Sequence, residues 1–361
     1  MNSIFQEIPL KRRSLFQVLF NQHPDENAVI SLNNLFASNR IKELEKTEIQ
    51  NIEAKYSLVL KDEFPLNLEE FYAVYLNQCL RNNRLSEDEL DNLAHLKEIL
   101  SLDSTVTSEL NQLIGVSAYR DMFHKSMEDG TIDNVEREKL RTLFEKLQLP
   151  ESSIRLIENT AKTAYINQRA QSLVDALRYT PSDERMLKEV AENLNVDWKA
   201  EGSLKRQLER LGFYWTIENN PLQSITVDEE LQKTEVCYLT IPGVKWFDLK
   251  NGSTLPNLKI DECIRLTKKA FVDHSSRPIK YHASDMKLIQ TGTIYLTNKR
   301  VLLIGSVKNS NVRLDKIRDF ISYEDGIEIR KDTGKNPLLV FPRNGDSFGL
   351  FLGKLLTSHN Y

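Results

Sequence analysis

GTIYLTNKRVLLIGSVKNSNVRLDKIRDFISYEDGIEIRKDTG, residues 292–334, decides the fold class of the second half of this 361-residue chain. Ile294 and Leu296 precede, and Val301 to Ile304 follow, the connection Thr297-Asn298-Lys299-Arg300. Two apolar strands joined by so short a polar link form an antiparallel hairpin. Asp325-Gly326 and Thr333-Gly334 mark two further hairpin turns. Downstream, SFGLFLGKLL (347–356) places Phe348, Phe351, Leu352 and Leu355 at helical spacing, so one amphipathic helix closes the run of strands. Upstream, FYWTIE (213–218) and EVCYLTIPGVKWFDLK (235–250) are β-branched and aromatic, and Ile241-Pro242-Gly243 predicts a turn between two strands. GSLKRQLERLG (202–212) predicts a short helix with Leu204, Leu208 and Leu211 on one face and Gly212 as its C-cap. Pro256-Asn257 and Ser275 to Pro278 predict turns around CIRLTKKAFVDH (263–274), which fits either a strand pair or a helix. Residues 201–284 are therefore expected to be a linker helix plus a small β module, with a separate domain over 285–361.

The first half speaks a different language. In YAVYLNQCLRNNRLSEDELDNLAHLKEILSL (72–102), Tyr72, Leu85, Glu89, Leu93, Leu96, Leu100 and Leu102 recur 47 residues later as Tyr119, Ile132, Glu136, Leu140, Leu143, Leu147 and Leu149. A second step of 47 reaches Ile166, Tyr179, Asp183, Leu187, Val190, Leu194 and Val196. A looser copy lies 44 residues before the first, through Ile41, Glu45, Ile49, Ile52, Tyr56 and Leu58. Each unit is a helix, a polar turn and a second helix. Leu93, Leu96 and Leu100 share one helical face, and Ser86 with Glu89 spells a capping box. Asp133 with Glu136 plays the same part in the next unit, and Ser182 or Asp183, beside Pro181, in the third. A lone hairpin cannot bury its apolar face, so the hairpins must stack, and residues 1–200 are expected to be all-α. Pro150, Pro181, Gly115 and Gly130 are assigned to the turns. The fold class is α+β, in several domains.

The stretch DGTIDNVEREKLRTLFEKLQL (129–149) resembles the TerB-like helical family and the related helical repeats of a chloroplast protein-import component. The resemblance covers about residues 30–198. It implies an association with bacterial stress and phage defence, and a metal among acids at Asp129, Asp133 and Glu136. Set as a calcium loop with Gly130 at its sixth position, the segment puts Asp129, Asp133 and Glu136 in ligand places. The first and third ligand positions fall on Lys125 and Met127, which cannot supply carboxylates, so a glycine-assisted turn with N-cap acids is the expected structure. Residues 285–358 resemble the bacterial PH-like and GRAM domains, through Gly292, Thr297, Asn298, Lys299, Arg300, Gly305, Ile317, Asp325 and Gly326 in order. That resemblance implies a β-barrel or sandwich with a closing helix that binds lipid, peptide or protein rather than performing catalysis.

Charge and composition bound the chemistry. Residues 1–200 hold 24 basic against 33 acidic residues, and the remainder carries a balance of +5. This is far from a nucleic-acid-binding stripe, and no nucleic-acid partner is expected. Three scattered cysteines spell neither a disulfide framework nor a zinc site, which points to a reducing, cytoplasmic setting. The amphipathic N-terminus MNSIFQEIPLKRRSLFQVLF has no apolar core followed by a cleavage site, so it does not read as a secretory signal. The six histidines show no metal-ligand spacing, and the phosphate-loop, dinucleotide and nucleophile-elbow motifs are missing from the sequence. Neither enzymatic activity nor a cofactor is expected. Lys287, Lys299, Arg300, Lys308 and Arg313 fall near strand ends, where they could hold a phosphate or lipid headgroup. Two to four such cations give a weak, salt-sensitive attraction that no apolar insertion reinforces. Little binding to phosphatidylserine vesicles is expected at about 0.15 M salt. Tyr295 and Phe320 are assigned to the core. The function expected is that of an adaptor for protein partners. The alternatives are a peripheral membrane sensor and a metal-dependent regulator.

Overall fold

The computed structural model describes residues 4–20, 22–81, 85–249, 257–272, 286–306, 308–323 and 325–359, with the side chains of 16 and 359 left aside. The predicted turn at Ser275 to Pro278 lies outside these residues. The chain is α+β, with helices through its first two-thirds and an antiparallel sheet toward its C-terminus. It forms two compact units, 1–165 and 166–361. The division falls inside a helix, some way before the boundary near 200 that the change in sequence pattern suggests.

The first unit contains α1 (Leu15–Leu19), α2 (Glu26–Ser38), α3 (Lys46–Tyr56), α4 (Leu60–Glu63), α5 (Pro65–Leu80), α6 (Glu87–Ile99), α7 (Ser104–Ser126), α8 (Asn134–Lys146) and the start of α9 (Glu151–Asp175). The repeat is visible in atomic detail. Leu93, Leu96 and Leu100 are buried, as are Leu140, Leu143 and Leu147. The Tyr72 hydroxyl on α5 donates to Asn111 Oδ1 on α7 at 3.0 Å. One repeat later, Tyr119 on α7 donates to Glu158 Oε1 on α9 at 2.7 Å. Each capped helix ends on a left-handed residue at the same place, Ser101 (φ 52°) and Gln148 (φ 51°), and Asn195 (φ 54°) repeats it in the second unit. Gly115, expected at a turn, stands instead inside the 23-residue α7. A Cβ there would lie 2.7 Å from the side chains of both Leu147 and Leu149, so glycine lets the end of the next hairpin close against the helix.

The second unit begins with the rest of α9 and with α10 (Pro181–Asn193), then α11 (Gly202–Asn219). The third capping box is formed by Thr180, which accepts from Asp183 N at 3.2 Å, and not by Ser182 or Asp183 as the cap. Helix α11 passes through Gly212 without stopping, and FYWTIE belongs to it rather than to a strand. The reason is a stripe: Leu208, Leu211, Tyr214 and Ile217 follow helical spacing and are all buried, which outweighs local β propensity.

Among the described residues the sheet has seven strands, β1 (Cys237–Leu249), β2 (Met286–Thr297), β3 (Arg300–Gly305), β4 (Asn309–Arg313), β5 (Ile317–Ser322), β6 (Gly326–Lys331) and β7 (Pro337–Val340). Their order is β4-β3-β2-β1-β7-β6-β5, all neighbours antiparallel. Residues 237–249 are thus the central strand of this sheet and not part of a separate small module. The expected turn at Ile241-Pro242-Gly243 is a bulge, where the β1–β2 register shifts between Ile241 and Val244 and Gly243 takes φ 73°. CIRLTKKAFV lies in a helix, α12 (Ile260–Val272), packed with the closing helix α13 (Gly345–His359). Both helices cover one sheet face, burying Ile294, Leu303, Phe320, Ile327, Phe348 and Leu352. Tyr295 is only half-buried, because the alternation of β2 turns it away from that core; Phe320 is in it. No described helix is long and apolar enough to cross a membrane.

Candidate functional site

The five cations near the strand ends do not converge. The β2–β3 connection is two residues long, which brings Lys299 and Arg300 beside Arg313, the register partner of Arg300 on β4. Lys308 lies in the β3–β4 turn, at the far end of that hairpin, and is exposed. Lys287 lies five residues beyond Gly292, the last β2 residue paired with β3, a further ~17 Å along the strand, where it faces Asp248 in register.

The three that meet are engaged. Lys299 Nζ donates to the carbonyl of Lys233 at 2.5 Å. Arg313 forms a bidentate pair with Asp315, 2.9 Å for each contact, at the surface. Arg300 forms a bidentate pair with Glu235 at 2.9 and 3.1 Å, and the Glu235 side chain is fully buried. Glu235 also accepts from Thr297 Oγ1 at 2.8 Å and from the Gln232 amide at 2.9 Å. Burial alone would raise its pKa, but the Arg300 guanidinium and these two donors together hold it below the usual carboxylate range. Glu235 was not singled out by sequence reasoning. It stands 65 residues before Arg300 in an unremarkable polar run, and only the strand pairing brings the two together.

The acids of the Asp-Gly turn are likewise used by the backbone. Asp129 Oδ1 accepts from Thr131 N at 2.9 Å, Asp133 caps Glu136 N at 2.7 Å, and Glu136 returns to Asp133 N at 3.0 Å. Gly130 has φ 84°, and the Tyr165 ring with its hydroxyl occupies the place where a Cβ would stand. The turn is a helix start shaped by glycine and an aromatic ring. Among the described residues no group of three or more His, Cys, Asp or Glu side chains is arranged to hold a metal. The three cysteines are free and buried. Burial pushes the Cys79 thiol up to about 12 and the Cys263 thiol to about 11, so both stay protonated at neutral pH.

Two other features have chemical character. On the face of β5 and β6 opposite Phe320, Ile327 and Ile329, Asp319, Glu328 and Arg330 are almost fully buried, with Arg330 bonded to Asp319 and Tyr323 donating to Glu328 at 3.1 Å. Buried charges paired in this way hold neighbouring strands in one arrangement. In the first unit, a groove of about 640 Å³ runs between α5 and α7, lined by Ala73, Val74, Asn77, Leu113, Ser117 and Ala118. Ala73, Ser117 and Ala118 give small side chains to its lining, and Leu113 is 72 % exposed. Such a groove can take up apolar side chains, and it offers no acid–base pair.

No protein-family model matches the sequence, and a search of curated proteins finds no significant match.

Proposed function

We propose that this protein is a non-enzymatic adaptor whose acidic helical-hairpin unit, TerB-like in pattern, grips a protein partner while a PH-like unit presents a second binding surface. The antiparallel sheet of order 4-3-2-1-7-6-5 with a last helix packed on one of its faces is the observation that supports the reading, because antiparallel strands closed by a C-terminal helix are what the PH-like resemblance implies. On this reading the PH-like unit includes the strand from 237, which shares the sheet. A protein ligand is preferred over a headgroup on the sheet because Lys287 and Lys308 stand apart from the other three cations, and Lys299, Arg300 and Arg313 already have partners. The helical unit supports the protein-binding half of the reading through its acidic surface and the open groove between α5 and α7.

The test is capture on the immobilised full chain, compared with Leu113→Asp, whose exposed position leaves folding intact. A protein retained by the native chain and lost from the variant is the expected result. Retention of anionic lipid through Lys299, Lys308 and Arg313, with no protein retained, would replace the adaptor by a membrane sensor reading headgroups on the sheet.

A further inference from the structure

Residues 6–11 run extended along α2, and the side chains of that helix hold them as a neighbouring strand would. Asn34 Oδ1 accepts from Ile8 N at 2.7 Å and Asn34 Nδ2 donates to Ile8 O at 2.8 Å. Asn27 makes the same pair of bonds to Lys11, at 2.7 and 2.9 Å. The spacing fits: seven helical residues rise ~10 Å, and three extended residues span the same length. Asn33 adds a bond to the carbonyl of Gln6 at 2.7 Å. The fold therefore positions this segment, and through it the short helix α1.

Helix α1 and its end are exposed and apolar. Leu15 is 89 % exposed, Val18 60 %, Leu19 76 % and Phe20 66 %. With Ile8 and Leu10, residues 8–20 supply six of the sixteen large exposed apolar side chains among the described residues. Scattered single residues of this kind are ordinary, but a concentration within thirteen residues is not. Set among them are Lys11, Arg12 and Arg13, all exposed, and no acid occurs between Glu7 and Asp25. The chain as a whole is acidic, at −4, so this positive charge is local.

We propose that residues 8–20 are a docking element for an anionic lipid surface, with Leu15, Val18, Leu19 and Phe20 entering the headgroup boundary and Lys11, Arg12 and Arg13 facing the phosphates. An apolar tip preceded by three cations, with no acid among residues 8–20 themselves, matches a leaflet, which is apolar inside and negative at its rim. Lys11 and Arg13 have acceptors within the protein, Glu26 and His23, at exposed positions where such bonds exchange readily with other acceptors. This element supplies the apolar insertion that the cations of the sheet lack, and it belongs to the helical unit.

The test is sedimentation of the full chain with vesicles of phosphatidylcholine alone and with about 30 % phosphatidylserine, at about 0.15 M salt. Partition to the anionic vesicles is expected, with much less to the neutral ones. The double substitution Leu19→Ser, Phe20→Ser should lower that partition about tenfold or more. Arg12→Gln should lower it about fivefold on anionic vesicles only. All three positions are exposed, and an unchanged melting profile shows that the fold is kept. Lys299→Glu should leave partition unchanged. Absence of partition by the native chain overturns the proposal, as does partition that survives the N-terminal substitutions. A self-associating chain that the double substitution renders monomeric, without vesicle binding, would assign the tip to a second copy instead.

Discussion

Leu96 and Leu143 occupy the same place in successive hairpins, one fully buried and the other 3 % exposed. Truncating either removes contacts that the surrounding helices cannot refill, so Leu96→Ala and Leu143→Ala should each cost about 2–5 kcal/mol in urea unfolding. Lys97→Ala and Arg141→Ala, on the outer faces, should stay within about 0.5 kcal/mol. Equal costs for all four would show that the faces are wrongly assigned. Glu235 has the opposite character, a buried charge whose value depends on its partners. Its pKa is lowered in the folded state, so its contribution is present above the ordinary carboxylate range and is lost as pH falls through the folded value. Glu235→Gln should therefore weaken the protein at neutral pH and flatten the acid limb of its stability profile, as followed by thermal melts from neutral to acid pH. An acid limb as steep as that of the native chain would mean that other carboxylates govern it.

At the scale of elements, the start and stop signals of the helices repeat as faithfully as the core. The N-caps are Ser86, Asp133 and Thr180, each with its acid three residues on, and the left-handed terminators are Ser101, Gln148 and Asn195. A side chain in the left-handed region costs about 1 kcal/mol, and asparagine tolerates it better than serine or glutamine. Gln148→Gly and Ser101→Gly should raise stability by up to about 1 kcal/mol, and Asn195→Gly by less. Melting temperatures that fall in the first two variants would refute the strain. Thr180 is legible in the sequence, because a step of 47 from Ser86 and Asp133 lands on it, although Pro181 beside it is the stronger local turn signal. Other elements were less legible for physical reasons. FYWTIE has the composition of a strand, and its helix depends on Tyr214 finding Asp346, which the sequence places 132 residues away. Pro242-Gly243 reads as a turn because both residues punctuate chains, yet one long strand absorbs them as a bulge once it has partners on both sides. The hairpins at 297–300 and 325–326 were legible because their signals are local. The engagement of Arg300 by Glu235 was not, because a pair 65 residues apart leaves no spacing to read.

For the whole molecule, the boundary inside α9 makes residues 166–200 part of the C-terminal unit. Tyr179 packs beside Gly212 of α11, its ring 3.6 Å from where a Cβ would stand, and Trp198 donates to Asn167 at 2.8 Å. A fragment of residues 166–361 should therefore melt higher and more sharply than one of 201–361, by calorimetry; indistinguishable melts would return the boundary to 200. The repeated hydroxyl bonds, Tyr72 to Asn111 and Tyr119 to Glu158, have a consequence of another kind. Each hairpin meets the next through equivalent atoms, so the array has the form left by duplication of a gene segment, and it should bear contraction by the same quantum. A chain lacking residues 103–149 would join the end of α6 to the start of α9, and the Tyr72 hydroxyl would find Glu158 where it had found Asn111. Removing half that length would leave tyrosine facing the wrong side of its neighbour.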